Sequence, residues 1–366
     1  MFPPLSYTKS PWQENYSEII DVRSPGEFAE DHFPNAINLP VLSNEQRAEV
    51  GTIYKQVSPF QAKKIGAALV SENIARHLKS HFVHKDKNYF PLVYCWRGGQ
   101  RSHSFATVLS EIGWRVTILE GGYKTYRTYV RAQLEQLPPQ LTYKILCGLT
   151  GTGKTHILHL MAQRGAQVLD LEGLANHRGS LLGQEWQFVD NNNNSNCSSP
   201  NSISHPLKQP SQKSFESALV QQLQKFDRSK VVWLESESNT IGQLHIPANL
   251  WPMMQQAKCV EIKVPQPARV DWLLQKYDHL TQSPTILKEK LQQLTSRYGK
   301  ATIAQWFNLI NQDKMRDLVT ELLEKHYDPA YHRSMNKSYY PRLEKSVFIP
   351  NLSPQSINLS LEDLGF

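Results

Sequence analysis

No two of the four cysteines in this sequence form a CxxC pair; Cys95, Cys147, Cys197 and Cys259 are scattered along the chain. That spacing argues against a zinc knuckle or a disulfide framework and suits a reducing compartment. Runs of about 18 or more apolar residues are also missing, so no segment reads as a membrane span. The opening Met1-Phe2-Pro3-Pro4 leads into no charged-then-apolar segment of the kind a secretory signal needs. The expectation is therefore a soluble, cytoplasmic protein. Acidic residues are in deficit, 33 against 40 Lys and Arg, for a formal charge of +7. This excess suits anionic partners such as phosphates or nucleic acid without dictating a fold.

What is present is a globular composition, 40% hydrophobic and 20% charged, over 366 residues. That length suits two domains better than one core. Short apolar runs alternate with helical patterns, which predicts an α/β chain with parallel sheets. Strands are expected at Ser17–Val22, Phe90–Tyr94 and Arg115–Leu119, and helices at Ser43–Gln56, Pro59–Phe82 and Ser102–Ile112. Ser58 and Pro59 supply an N-cap and a first helical residue. The Pro138-Pro139 pair marks the boundary, giving domains over 1–138 and 141–366. Beyond it, strands are expected at Tyr143–Cys147, Ala166–Leu169, Val231–Glu235 and Val260–Val264, with a helix over Lys154–Arg164. From Pro267 the pattern turns helical, over Arg269–Tyr277, Thr285–Tyr298, Ala301–Asn311 and Lys314–His326. The Asn-, Ser- and Pro-rich stretch 190–211 lacks the apolar surface to order itself and is expected to be a disordered insertion.

Two loops carry chemistry. In Tyr94-Cys95-Trp96-Arg97-Gly98-Gly99-Gln100-Arg101-Ser102 a cysteine ends a buried strand and a helix follows two glycines. A backbone N–H nest before a helix start binds anions. Arg97 and Arg101 are expected to add positive charge, and Gly98 and Gly99 to allow positive φ. Such surroundings favour a thiolate. The second loop, Gly148-Leu149-Thr150-Gly151-Thr152-Gly153-Lys154-Thr155, fits G-x-x-x-x-G-K-[ST] between a predicted strand and a predicted helix. Gly148, Gly151 and Gly153 turn backbone N–H groups inward, Lys154 meets the terminal phosphates, and Thr155 is placed to hold Mg²⁺. Asp170 and Glu235 are the candidate acids for metal support, with Glu237 a rival; Glu172 and Glu235 read equally well as solvated residues. No base-recognition motif is visible, so any diphosphate ester fits the loop.

A third feature is looser. Arg333, Lys337, Arg342 and Lys345 are interleaved with Tyr327, Tyr331, Tyr339 and Tyr340. The mixture suits phosphate contact and base stacking, and equally a solvated basic face with tyrosines packed inward. Arg178, in His177-Arg178-Gly179, is either a further anion contact or part of a helix end.

The cysteine loop resembles the active loop of the rhodanese family of sulfurtransferases. Asp21-Val22-Arg23-Ser24-Pro25-Gly26-Glu27-Phe28, the run His32–Pro40, and Leu119-Glu120-Gly121-Gly122 resemble that family's other signatures. Asn35 stands where a glycine is usual, a mild departure because Asn tolerates left-handed backbone. The likeness implies that Cys95 carries a transferable chalcogen while Asp21 and Arg23 serve structure. A rhodanese-like domain followed by a P-loop domain with a helical C-terminal part resembles the tRNA 2-selenouridine synthase family. Asp170–Ser180, Gln209–Gln212, Glu235–Ser238 and His326–Pro329 belong to that likeness.

The family resemblance implies a transferase acting on the wobble 2-thiouridine of tRNA. Its sulfur would be geranylated from geranyl diphosphate and then replaced by selenium from selenophosphate, with Cys95 as an S-selanylcysteine intermediate. No tightly bound cofactor is expected, Mg²⁺ is the candidate ion of the phosphate loop, and the basic residues read above, Arg178, Arg333, Lys337 and Arg342, are the candidate tRNA contacts. The alternative is a rhodanese-type sulfurtransferase fused to a small P-loop kinase or NTPase with no tRNA role. A regulatory module that has lost catalysis is disfavoured by the intact Cys95 and Lys154-Thr155.

Overall fold

The computed structural model describes residues 4–180, 182–184, 186–189, 203–277 and 283–366. They divide into two compact units, Met1–Gln133 and Leu134–Phe366. The division falls inside a helix, five residues before Pro138, which itself begins a short 3-10 turn, Pro138–Gln140.

The first unit is a five-stranded parallel sheet. In chain order its elements are β1 (Ser6–Thr8), β2 (Glu18–Asp21), α1 (Pro25–Glu30), β3 (Ala36–Asn38), α2 (Asn44–Gln56), α3 (Pro59–Ser80), β4 (Pro91–Tyr94), α4 (Gln100–Ile112), β5 (Thr117–Leu119) and α5 (Tyr123–Gln136). The strands pair in the order β1-β5-β4-β2-β3. Every residue of β4 and β5 is buried, the pattern of strands covered on both faces. Ile20, Val93 and Ile118 meet Phe105 and Leu109 of α4 in the core. Ser58 caps its helix as expected, accepting from Gln61 N at 3.4 Å; Ser43, read from sequence as the first residue of its helix, is its N-cap and accepts from Gln46 N. The short elements β1, α1 and β3 carried too little periodicity to be expected from sequence. In α1, however, Ser24 and Glu27 form a capping box around Pro25, a local signal that was legible.

The second unit is also built on a parallel sheet. Its elements run β6 (Thr142–Cys147), α6 (Lys154–Gln163), β7 (Gln167–Val168), α7 (Leu171–Ala175), β8 (Trp186–Val189), β9 (Ile203–Pro206), α8 (Gln212–Leu223), β10 (Val231–Glu235), β11 (Thr240–Ile241), β12 (Leu244–His245), α9 (Trp251–Gln256), β13 (Lys258–Lys263) and α10 (Gln266–Lys276). Helices Pro284–Gln292, Thr295–Asn311 and Met315–Leu322 follow, then a π turn at Leu323–Tyr327 and a helix over Asp328–Ser338. The chain ends with β14 (Leu343–Phe348) and a helix over Pro354–Leu364. The sheet order is β14-β13-β6-β10-β7. β6 is therefore central, and the loop after it emerges at the carboxyl edge, where α/β sheets bind ligands.

Three points differ from expectation here. The helical C-terminal part is present, but it also contains a strand that was not expected. β14 pairs with β13, but five of its six residues are exposed, so no apolar alternation betrays an edge strand. The helix expected over Thr285–Tyr298 is broken after Gln292, and Gly299, at φ 78°, kinks the next one. The third concerns 190–211, of which residues 190–202 lie outside the described residues. Its far end is ordered: β9 pairs antiparallel with β8, and Ser211 caps α8 by accepting from Ser214 N at 3.0 Å. Gln209 donates to Ala175 O and Ile241 O at 3.2 and 3.0 Å. Composition could not show the Gln209 contacts because their partners are more than 30 residues away.

Candidate active site

In the first unit the chain leaves β4 at Tyr94 and places Cys95 at the mouth of α4. The sulfur receives hydrogen bonds from Gly99 N and Ser102 Oγ, both at 3.3 Å. Ser102 is fully buried and Cys95 nearly so. Gly98 has φ 65°, and a Cβ there would lie 2.7 Å from Leu119 O. Gly122, at φ 60°, is tighter still: its Cβ would stand 2.2 Å from Cys95 O and 2.5 Å from Gly98 N. The Leu119-Glu120-Gly121-Gly122 run thus shapes the cysteine loop by close backbone approach.

Two sequence expectations for this loop are corrected. Gly99 does not use positive φ; it is the N-cap residue of α4 at φ −97°. Arg101 is not a free cation beside the thiol. It donates to Glu27 Oε2 at 2.8 Å, where Arg47 also pairs at 3.0 Å. Burial raises the Glu27 carboxyl, but the hydrogen bond and charge of Arg101 outweigh it and hold that group below its ordinary range. The partner was invisible in sequence because Glu27 lies 74 residues away. Arg97 is exposed.

Behind the loop, Arg23 and Asp21 are both fully buried. Arg23 reaches Asp21 through Nε at 3.0 Å and Nη2 at 2.6 Å, and Asp31 O through Nη2 at 2.7 Å. Its guanidinium lies 4.1 Å from the centre of the Tyr123 ring, which stacks on Trp96 of the loop. These residues support the loop from beneath. Asn35 has φ 61°, the left-handed backbone expected of it.

In the second unit Gly148, Gly151 and Gly153 all have positive φ, at 151°, 84° and 74°. A Cβ at Gly148 would sit 2.5 Å from Ile262 O, so strand β13 closes on the loop. Lys154 Nζ donates to Gly148 O at 2.8 Å, arching over the cradle. Gly148 N donates to the Tyr331 hydroxyl at 3.2 Å, and Tyr331 also bonds Ser236. Tyr331 stood out in the sequence only as a tyrosine of the basic segment; its contact with the loop was not legible because it stands 183 residues from Gly148. Arg269, buried, donates to Thr150 O at 3.1 Å and to both oxygens of Asp328 at 2.9 and 2.8 Å. It ties the loop to two helices and was likewise not singled out.

The acids sort differently from expectation. Register places Glu235 opposite Leu146, two residues before the loop. Among the described residues Glu172, Glu235 and Glu237 bring carboxylate oxygens within 4.8 Å of one another. Thr155 Oγ1 donates to Glu172 Oε2 at 3.2 Å. Burial, then the neighbouring Glu235 and Glu237, push the Glu172 carboxyl up to about 10. Burial, then Glu235, push Glu237 up to about 8, and burial raises Glu235 as well. Asp170 is not in this cluster. It caps α7, accepting from Gly173 N at 2.7 Å, and pairs with His159 at 2.8 Å. Glu172, two residues further on in the first turn of α7, takes its place and accepts from Thr155. Three acids that cannot all ionise alone, beside a hydroxyl, make an oxygen-rich set that fits a hard divalent ion.

The basic segment also resolves. Arg333 and Lys337 are exposed and four residues apart on one helix, and Arg342 is exposed just beyond it. The hydroxyls of the two tyrosines between them are engaged within the unit. Tyr339 is buried with its hydroxyl on Glu237 O, and Tyr340 bonds Glu261. Arg178 lies over the Tyr277 ring at 5.0 Å and donates to Lys276 O.

A family model for the rhodanese-like domain matches residues 7–128, and one for the tRNA 2-selenouridine synthase AAA domain matches 141–195 and 203–288. Among curated relatives, the tRNA 2-selenouridine synthase of Shewanella sediminis is 31% identical, covering 87% of this chain and 88% of its own. That of Bdellovibrio bacteriovorus is 30% identical over 93% of this chain and 94% of its own. The Sulfurovum sp. protein of the same name is 30% identical over 88% and 90%. With both domain types present in order and similarity along nearly its whole length, this chain belongs to the tRNA 2-selenouridine synthase family.

Proposed function

We propose that this chain forms 2-selenouridine in tRNA, acting on the wobble 2-thiouridine in two steps. In the first, the thio sulfur bonds to carbon 1 of geranyl diphosphate. The C–O bond breaks as this happens, and its electron pair leaves on diphosphate. The Gly148–Thr155 loop grips that leaving group, and Lys154 offsets its growing charge. Thr155, Glu172, Glu235 and Glu237 would hold Mg²⁺, which when bound supplies further charge stabilisation to the diphosphate. In the second step the selenium of selenophosphate attacks carbon 2, and the alkylated sulfur departs with the electron pair of its bond to carbon 2 as geranyl thiol. Water then attacks phosphorus, the P–Se bond breaks and inorganic phosphate leaves, so selenium stays on carbon 2. Cys95, whose sulfur accepts from Gly99 N and Ser102 Oγ, lies in the loop that receives the anionic selenium donor. Exposed Arg333, Lys337 and Arg342 offer charge for tRNA phosphates.

The observation that carries this reading is that a chain of this family retains both chemical centres intact. Cys95 sits in a donor cradle, and Lys154 and Thr155 sit in a phosphate loop beside three clustered acids. The test is incubation of the full chain with thiolated tRNA and geranyl diphosphate, followed by mass spectrometry of the digested nucleosides. A prenyl-sized gain on 2-thiouridine is expected, converting to 2-selenouridine when selenophosphate is added. Turnover of ATP without a prenyl gain would favour the sulfurtransferase–kinase alternative.

A further inference from the structure

A cavity of about 570 Å³, including its open mouth, adjoins the phosphate loop of the second unit. Thr150 of the loop and Ser180 line one part of it, and Leu273, Leu274, Met315, Leu318, Val319 and Leu322 supply most of the apolar wall. Leu273, Leu274, Met315 and Val319 are only half-buried, so apolar surface is left uncovered where the chain could have closed over it. The wall touches the loop itself, for a Cβ on Gly151 would meet Leu273 at 3.0 Å. Arg269 joins the two parts. It holds Thr150 O at 3.1 Å and belongs to the same helix as Leu273 and Leu274. An ester whose phosphates occupy the loop therefore has a fixed apolar surface beside it.

The lining also says what does not fit. Among the described residues, the polar side chains lining this cavity are the hydroxyls of Thr150, Ser180, Tyr277 and Tyr327, with no amide, carboxylate or cation. A nucleobase buried there would leave ring edges unpaired, which is costly. A hydrocarbon has no such need. We infer that this cavity receives the hydrocarbon tail of the diphosphate ester, and that Met315, Leu318 and Val319 set the tail length it accepts. The inference rests on the prenyl-transfer reading above and names the residues that would select its substrate. Those three belong to the helix Met315–Leu322, separate in sequence from the loop that holds the phosphates.

Titration calorimetry of the full chain with inorganic pyrophosphate, dimethylallyl diphosphate, geranyl diphosphate and ADP tests it. Wild type should bind geranyl diphosphate roughly 100-fold more tightly than pyrophosphate, because each buried methylene adds to affinity. Val319→Trp should keep pyrophosphate affinity, lose about tenfold or more for geranyl diphosphate, and lose less for the shorter dimethylallyl ester. Met315→Trp repeats the test from a second position. If both variants bind geranyl diphosphate as wild type does, the tail lies elsewhere; prenyl transfer stands and the cavity assignment falls. If wild type gains nothing from the tail, the prenyl-transfer reading itself fails and takes this inference with it. Tighter binding of ADP, lost on filling the cavity, would make it a nucleoside pocket and overturn the inference. Loss of pyrophosphate in both variants would show these positions to serve the loop and not the tail.

Discussion

Ser102 Oγ stands 3.3 Å from Cys95 Sγ, and the same hydroxyl reaches Gly99 O at 3.1 Å. One buried side chain thus ties the sulfur to the first turn of α4. In Ser102→Ala one of the two donors to the sulfur is gone. A hydrogen bond contributes about 0.5–1.5 kcal/mol, so alkylation of Cys95 by iodoacetamide should slow by about two- to tenfold. Unchanged alkylation would show that Gly99 N alone sets the reactivity.

Division of labour between the two units predicts separable defects. Cys95→Ala should abolish selenium incorporation and leave geranylation intact. Lys154→Ala should lower geranylation by about 10²–10³-fold, the usual cost of removing a group that stabilises developing charge. Mass spectrometry of tRNA nucleosides reads both outcomes, and normal geranylation in Lys154→Ala would remove the phosphate loop from the scheme.

Arg23→Ala should be the most damaging of these changes to the fold. It strands the fully buried Asp21 carboxylate without its bidentate partner. Breaking such a buried pair costs about 3–5 kcal/mol. The expected result is a clear fall in the denaturant midpoint of the first unit, together with loss of selenium transfer because the Tyr123 and Trp96 rings lose their support.

The acidic cluster predicts a pH dependence of definite sign. In the folded chain Glu172 and Glu237 hold protons up to about 10 and about 8, against an ordinary 4.5. Between 4.5 and those values the folded state binds more protons than the unfolded state, so stability falls as pH rises. In chelator, the melting temperature of the second unit should therefore drop from about pH 5 to about pH 9. Mg²⁺ should reverse the drop, most strongly at the alkaline end, and its binding should release protons. Glu172→Gln should flatten the slope.

Exposed Arg333, Lys337 and Arg342 predict a salt-dependent tRNA contact. Changing all three to Ala should weaken tRNA binding and reduce the slope of log affinity against log salt by about 2. An unchanged slope would place the tRNA on another surface.

Local physics made much of this chain legible in advance. Cys95 before two glycines and a helix, and the glycines preceding Lys154-Thr155, are short-range patterns whose backbone demands can be met in few ways. The same holds for Ser58, which caps its helix ahead of Pro59 as expected. Edge strand β14 escaped because most of its side chains face outward and its pairing comes from β13, some 80 residues earlier.

What only the tertiary structure decided is partnership. Sequence could count arginines near Cys95, but only folding brought Glu27 to neutralise Arg101 and left Arg97 exposed. It could name acids downstream of the loop, but the exchange of Asp170 for Glu172 depended on where the first turn of α7 points. Charges, caps and glycine turns act over a few residues and are written in order along the chain. Ion pairs, acid clusters and cavities depend on distances between residues far apart in sequence, which the packed chain alone sets.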